Sequence, residues 1–299
     1  MFGSRRCCCW AISGGRAPRA RSPSTEVKAV GRIFRQIERH VGLFGAYFAQ
    51  YAKVRVAYRG DFFITLGTSF AATLFSFGFV YFLFQRISYL AAWDKYEVFF
   101  LYGFSLIPFG LFNVLSLNLY EFGSTYIMEG KFDRVLLRPI SSLFQVLFET
   151  FRIESFQEVV TGLVVVLWSA RMLSYRWHAL DVLLLAVFAL CGAVIYISVF
   201  LFLSTFSFWF EDRIGVHPPF WNLIAFGRYP LSIYSGYIQF LLSWIIPFGF
   251  ATFYPSARLL GHAEFRAYAP LVPLIAVATF AVAATSWRLG LRRYSSTGS

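Results

Sequence analysis

The chain is 299 residues long with a formal net charge of +12; 58% of its residues are hydrophobic, 37 are phenylalanine and only 14% are charged. With a mean hydropathy of +0.60, this composition excludes a water-soluble globular domain. Ten-residue segments of alternating hydrophobicity, the mark of a membrane β-barrel, are missing, so the expected fold is an all-α polytopic membrane protein.

Residues 1–26 are rich in Arg, Ser, Pro and Gly and lack the apolar core of a secretory signal peptide. They are expected to be a disordered leader, or to precede the true start. Cys7, Cys8 and Cys9 are adjacent, a spacing that suits no common zinc knuckle, and Cys191 lies in an apolar run, so no disulfide framework is implied. Residues 27–61 turn amphipathic. Ile33, Ile37, Val41 and Phe44 form one stripe with Arg32, Arg35 and Arg39 around it, as in a helix lying in the membrane interface or packing on a cytosolic partner.

A hydrocarbon layer about 30 Å thick takes roughly 20 apolar residues per helix, and six candidate spans fall within residues 62–293. The first runs from Phe62 to Phe84 and the second from Val98 to Leu119, with Pro108 inside. The third, Ser142 to Trp168, holds Glu149, Arg152, Glu154 and Glu158 ahead of VVTGLVVVLW. Four charges at the bilayer centre would oppose insertion by about 10 kcal/mol. The expectation is therefore one helix about 40 Å long, its charged first half projecting into water and its second half crossing. The fourth span is Val182 to Phe206, closed by Glu211, Asp212 and Arg213, a solvated cluster or a second contact with a cytosolic partner. The fifth is Ile233 to Phe253, with Pro247 inside, and the sixth is Leu271 to Trp287; residues 294–299 form a short tail. Pro108 and Pro247 each sit in an IPFG string, where proline kinks a span and Gly110 or Gly249 permits close helix contact.

Six crossings place both termini on one side, with the loops after the second and fourth spans. About 20 of the 27 Lys and Arg fall there, against about six on the other side, so the positive-inside rule makes the termini cytoplasmic. The excess cationic charge reads as topology and contact with anionic membrane lipids, not nucleic-acid binding.

Enzyme motifs are missing. Thr125 stands where a phosphate loop ending in Gly130 and Lys131 would need its first glycine, and there is no HExxH or GxSxG. His40, His178, His217 and His262 are scattered and none has Asp five residues on, so each is expected to be interfacial or capping. No cofactor site is expected. A membrane-embedded enzyme would need converging acids or histidines in the spans. A channel working without an ATPase would need more lining than Thr65, Thr68, Ser69, Asn113, Ser116 and Asn118.

Between the second and third spans lies EGKFDRVLLRPISS, Glu129 to Ser142. A helix starting at Lys131 places Lys131, Arg134 and Arg138 on one stripe and Phe132, Val135 and Leu136 on another. Pro139 ends it, because the residue before proline avoids helical geometry. One face can rest on the spans while the other offers cationic and apolar groups to the cytosol; alternatively, its arginines bind only lipid head groups.

The same stretch resembles the G-x-x-D-x-x-L-x-R-P-I signature of a permease group in the type-two ABC exporter family. RYPLSIYSGYIQFLLSWIIPFGFATFYPSARLLG, Arg228 to Gly261, is similar to that group's pattern around the fifth span. The likeness extends over roughly Gln50 to Arg293. It implies a multi-pass exporter permease of a bacterial-type inner or plasma membrane, paired with a second permease, identical or related, and with cytosolic ABC ATPase subunits that use the ATP. It also implies a coupling helix against the ATPase, made of Lys131, Phe132, Asp133, Arg134, Val135, Leu136, Leu137, Arg138 and Pro139. In the wider family the connection after the fifth span forms short re-entrant helices, and the same is expected for Tyr254 to Pro270. The resemblance names no cargo; aromatic spans suit an amphiphile, but lipid contact alone selects the same residues.

Overall fold

The computed structural model describes residues 42–51, 53, 59–210 and 217–295. The leader 1–26, most of 27–61, the cysteine triplet, His40, the cluster Glu211, Asp212 and Arg213 and most of the tail lie outside these residues. The chain divides after Ala46; of the first unit only 42–46 are described, and they are helical. All else concerns the unit from Tyr47 onward.

That unit is built of helices: α1 (Arg59–Leu83), α2 (Lys95–Ser116), α3 (Lys131–Leu137), α4 (Ser142–Phe148), α5 (Phe156–Met172), α6 (Ala179–Thr205), α7 (Ser207–Phe210), α8 (His217–Leu223), α9 (Gly236–Phe240), α10 (Phe248–Ala251), α11 (Phe253–Leu259) and α12 (Leu271–Leu291). A two-residue hairpin, β1 (Tyr89–Leu90) and β2 (Trp93–Asp94), joins α1 to α2. Among the described residues five helical stretches are long and apolar enough to cross a membrane, or six if Gly236–Ile245 and Phe248–Leu259, bent by 72°, make one broken span.

α2 is the centre of the bundle and is buried along nearly its whole length. Asp94 and Glu97 close a capping box at its start, and it runs on through a 3-10 turn and a π-helix to Met128. At 1.5 Å per residue this 34-residue stretch is about 50 Å long. The 32-residue stretch Ala179–Phe210 is nearly as long, so both exceed the hydrocarbon layer by more than a third. Close approach of α2 and α5 rests on glycine. A Cβ on Gly162 would stand 2.6 Å from the Gly103 carbonyl oxygen, and one on Gly110 would stand 2.8 Å from Val159 Cγ2. Hydroxyls in the exposed α1 turn back onto their own helix, as Thr68 does to the Ile64 carbonyl at 3.0 Å, which satisfies them without a pore.

Three expectations are corrected. The third segment is not one long helix: it breaks between α4 and the 3-10 turn Ile153–Ser155 that leads into α5. Its acids do not all project into water, since Glu154 is buried and Glu158 Oε2 accepts a 2.8 Å hydrogen bond from Asn113 Nδ2 on α2. The insertion penalty treats each charge as alone in lipid, whereas a packed neighbour with a polar group removes much of it. The IPFG strings also differ from each other. Pro108 sits inside the continuous α2, its ring against Gly192 of α6, while Pro247 marks the 72° break. Finally, His217 is buried, with Nε2 3.3 Å from Ser204 Oγ and its ring stacked on Phe200. His178 stands at the N-cap position of α6, where its backbone N–H donates to Asp181 Oδ2 at 3.1 Å.

Candidate functional site

α3 starts at Gly130, whose φ of 67° and ψ of 12° are left-handed, a backbone that glycine adopts without the Cβ penalty. It ends at Leu137. Arg138 is extended (φ −83°, ψ 139°), as the following Pro139 dictates.

The inner face of α3 is a single large anchor with a small one beside it. Phe132 is fully buried and Val135 nearly so. The Phe132 ring lies 5.7 Å from Phe122, 5.5 Å from Phe208, 5.9 Å from Trp287 and 5.0 Å from Tyr294, centroid to centroid, in edge-on geometries. Phe122 belongs to the continuation of α2, Phe208 to α7 below α6, and Trp287 and Tyr294 to the end of α12 and the residues after it. One side chain therefore touches the ends of three membrane-spanning stretches. Counted along the two long helices, Phe122 and Phe208 lie about 40 Å from their starts, past the far side of a hydrocarbon layer about 30 Å thick. Gly290 makes room for this cluster, because a Cβ there would strike the Phe208 ring.

Polar contacts fix the rest. The Tyr294 hydroxyl donates to Asp133 Oδ1 at 2.8 Å. Burial, followed by that hydrogen bond and the Asp133 charge, pushes the Tyr294 phenol up to about 12, so it stays a neutral donor. Gln145 of α4, wholly buried, donates to the carbonyls of Val135 at 3.3 Å and Ile140 at 3.4 Å, which satisfies the C-terminal end of α3 and the turn after it. Arg138 Nη1 lies 3.4 Å from Gln145 Oε1 and 3.5 Å from Glu149 Oε1, and Tyr126 donates to Glu149 Oε2 at 2.9 Å. A cavity of about 280 Å³ lies between these groups, lined by Tyr126, Lys131, Arg134, Arg138 and Glu149 among others.

The outer face carries Lys131, Arg134, Leu136 and Leu137. Leu137 is 84% exposed, an unusual setting for leucine at the end of a short amphipathic helix. Lys131 pairs with Glu129 at 2.8 Å; the pair is exposed and contributes at most about 1 kcal/mol. One expected placement changes here. Leu136 does not join Phe132 and Val135 but is 43% exposed. Arg138, beyond the helix end, pairs with Glu149 and lines the same cavity as Lys131 and Arg134. Asp133 and Arg134 fall on opposite sides, the first tied to Tyr294 and the second exposed. Sequence reasoning missed Phe122, Phe208, Trp287, Tyr294, Gly290 and Gln145. In a chain with 37 phenylalanines, no pattern separates anchors from lipid-facing rings; the one available signal is that each of the four aromatics stands near the same end of its span.

No curated protein and no solved structure matches the chain. Residues 70–298 match the family described as ABC-2 family transporter protein, a range that begins within α1 and takes in every side chain of α3 and its aromatic base. The chain belongs to the ABC-2 transporter family and is a multi-pass membrane permease component of an ABC transporter.

Proposed function

We propose that the chain is one half of the membrane part of an ABC exporter and that α3 is its coupling helix, taking up the motion of a cytosolic ATPase subunit and passing it to three spans at once. In this reading the termini and α3 are cytoplasmic, the protein resides in a bacterial-type cell membrane, and a second permease, identical or related, completes the pathway beside two ATPase subunits. The chain holds no cofactor and catalyses no reaction; the ATPases use the ATP. Membrane lipids surround the spans, and nucleic acid has no part. Glu211, Asp212 and Arg213, at the end of the fourth span, offer a second ATPase contact.

The observation that carries this reading is the two-faced construction of α3. Leu136 and Leu137 are exposed, while Phe132 is locked among rings from the ends of three spans. A protein interior is close-packed and moves as a body, so a push on α3 displaces those ends together. The lever is not the third segment, which is broken, but the overlong second and fourth. Replacing Asp133 and Arg134 together tests it: ATPase co-purification and stimulated hydrolysis should both fall, and wild-type values for both would remove the coupling role.

A further inference from the structure

Arg228 ends the 3-10 helix Ile224–Arg228. Its guanidinium carbon lies 5.3 Å from the ring centroid of Phe109, which is about 21 Å along α2 from Lys95. The neighbouring Gly227 carbonyl accepts a 2.7 Å hydrogen bond from Thr252, and a Cβ on Gly227 would stand 3.9 Å from the Tyr196 hydroxyl in the body of α6. These contacts put Arg228 inside the hydrocarbon layer, where a guanidinium costs about 2.5 to 3.5 kcal/mol. It is only half-buried, and no described carboxylate forms an ion pair with it.

Its surroundings are polar but incompletely matched. Glu158 of α5 lies within its electrostatic reach, with Oε2 held by Asn113. The other polar atom of that amide, Asn113 Oδ1, is buried with no hydrogen-bond partner among the described residues; the Tyr102 hydroxyl, also buried, lies within reach of Arg228 and Ser76. A buried polar atom left unmatched costs about 1 to 3 kcal/mol, a cost that a ligand can remove. Tyr102 also lines a cavity of about 370 Å³ between α1, α2 and α5, walled by Phe70, Leu74, Phe77, Val160 and Val164, a size typical of small-molecule sites.

We propose that Arg228 is the headgroup site for an anionic amphiphile, with the apolar cavity beside Tyr102 taking its chain. The proposal rests on the permease reading and supplies its substrate class. Guanidinium presents paired N–H donors to a carboxylate, phosphate or sulfonate, and the Tyr102 hydroxyl adds a donor. Glu158 has the opposite role. In its ionised form its carboxylate offsets Arg228 when the site is empty and weakens hold on an anion, so that cargo can leave as well as enter.

The test uses the full-length permease in phosphatidylcholine nanodiscs with a photoreactive palmitate probe. Hexadecyl phosphate should displace the probe at concentrations about tenfold below those of hexadecanol or hexadecyltrimethylammonium, and butyrate should not compete. Arg228→Gln should bring hexadecyl phosphate to the level of hexadecanol, Arg228→Lys should keep part of the preference, and Glu158→Gln should strengthen anion binding. Equal competition by anionic and neutral chains, or an anion preference that survives Arg228→Gln, overturns the site. A preference for hexadecyltrimethylammonium lost in Glu158→Gln overturns it in favour of a cation site, and competition by butyrate overturns the amphiphile in favour of a soluble anion. If Arg228→Gln does not fold, the wild-type charge preference and its changes in Arg228→Lys and Glu158→Gln decide. ATPase co-purification of the wild type, measured in parallel, separates the two proposals. Co-purification without anion preference removes only the site, and anion preference without co-purification removes only the coupling reading.

Discussion

Truncating Phe132 to alanine removes the one side chain that joins α3 to the ends of three spans. Loss of a fully buried phenylalanine costs about 3 to 5 kcal/mol, partly as transfer energy and partly as the cavity left behind. Each of the four edge-on ring contacts adds about 0.5 to 1.5 kcal/mol beyond area alone, which favours the upper end. What remains to hold α3 is Val135, the Asp133–Tyr294 hydrogen bond and the Gln145 contacts, together only a few kcal/mol. At about 1.4 kcal/mol per decade, docking of α3 weakens by about two to four orders of magnitude. The spans do not depend on this contact for insertion, so Phe132→Ala should still reach the membrane. Trypsin has Lys131 and Arg134 within reach, Arg138 being shielded by the following Pro139, and should cut the variant far faster than the wild type, while stimulated ATP hydrolysis by the assembled complex is lost. Phe132→Leu, which keeps most of the volume, should fall between. Wild-type proteolysis rates together with wild-type stimulation in Phe132→Ala would refute the reasoning.

Leu137→Glu alters an 84% exposed position, so permease stability should stay within about 0.5 kcal/mol while ATPase co-purification drops at least about tenfold; a thermal-shift and pulldown pair measures both. Gly162→Ala puts a Cβ 2.6 Å from the Gly103 carbonyl and should destabilise by about 1 to 3 kcal/mol, seen as a lower melting temperature in detergent. Gly67→Ala, with nothing within 4 Å, should be neutral or slightly stabilising. Tyr294, its phenol pushed up to about 12 by burial and Asp133, favours the folded state as a neutral group. Its contribution is fully present below the ordinary phenol value of about 10 and fades as pH rises towards 12. An ultraviolet difference titration against Tyr294→Phe should place this ionisation near pH 12, and ATPase stimulation should not change through Tyr294 between about pH 6 and 9.

Where a span stands as an uninterrupted apolar run, the residues alone locate it. Val182 to Phe206 is expected and Ala179–Thr205 forms; Leu271 opens the last span in both. The end of α3 at Leu137 was also readable, because the backbone rule before Pro139 is local. Legibility failed where tertiary contacts decide. Glu158 looked too costly for a span until Asn113, 45 residues earlier in the chain, supplied a donor. Pro108 and Pro247 share the IPFG string, yet the first packs on Gly192 and stays helical while the second stands at a 72° break. Leu136 and Val135 are adjacent and both apolar, and only the direction of Phe132 into its ring cluster settles which one is covered. The same holds for Arg228, which reads as one more inside-facing cation until Phe109 and Thr252 show how deep it lies.

The most direct measurement is sidedness at α3. A cysteine at Leu137, in a chain otherwise freed of its 4 cysteines, can be challenged with a membrane-impermeant maleimide on intact cells and on inside-out vesicles, with and without the ATPase bound. The expected result is labelling from the cytosolic face alone, with protection when the ATPase is present. Labelling from the external medium, or cytosolic labelling that the ATPase leaves unchanged, would contradict the coupling role.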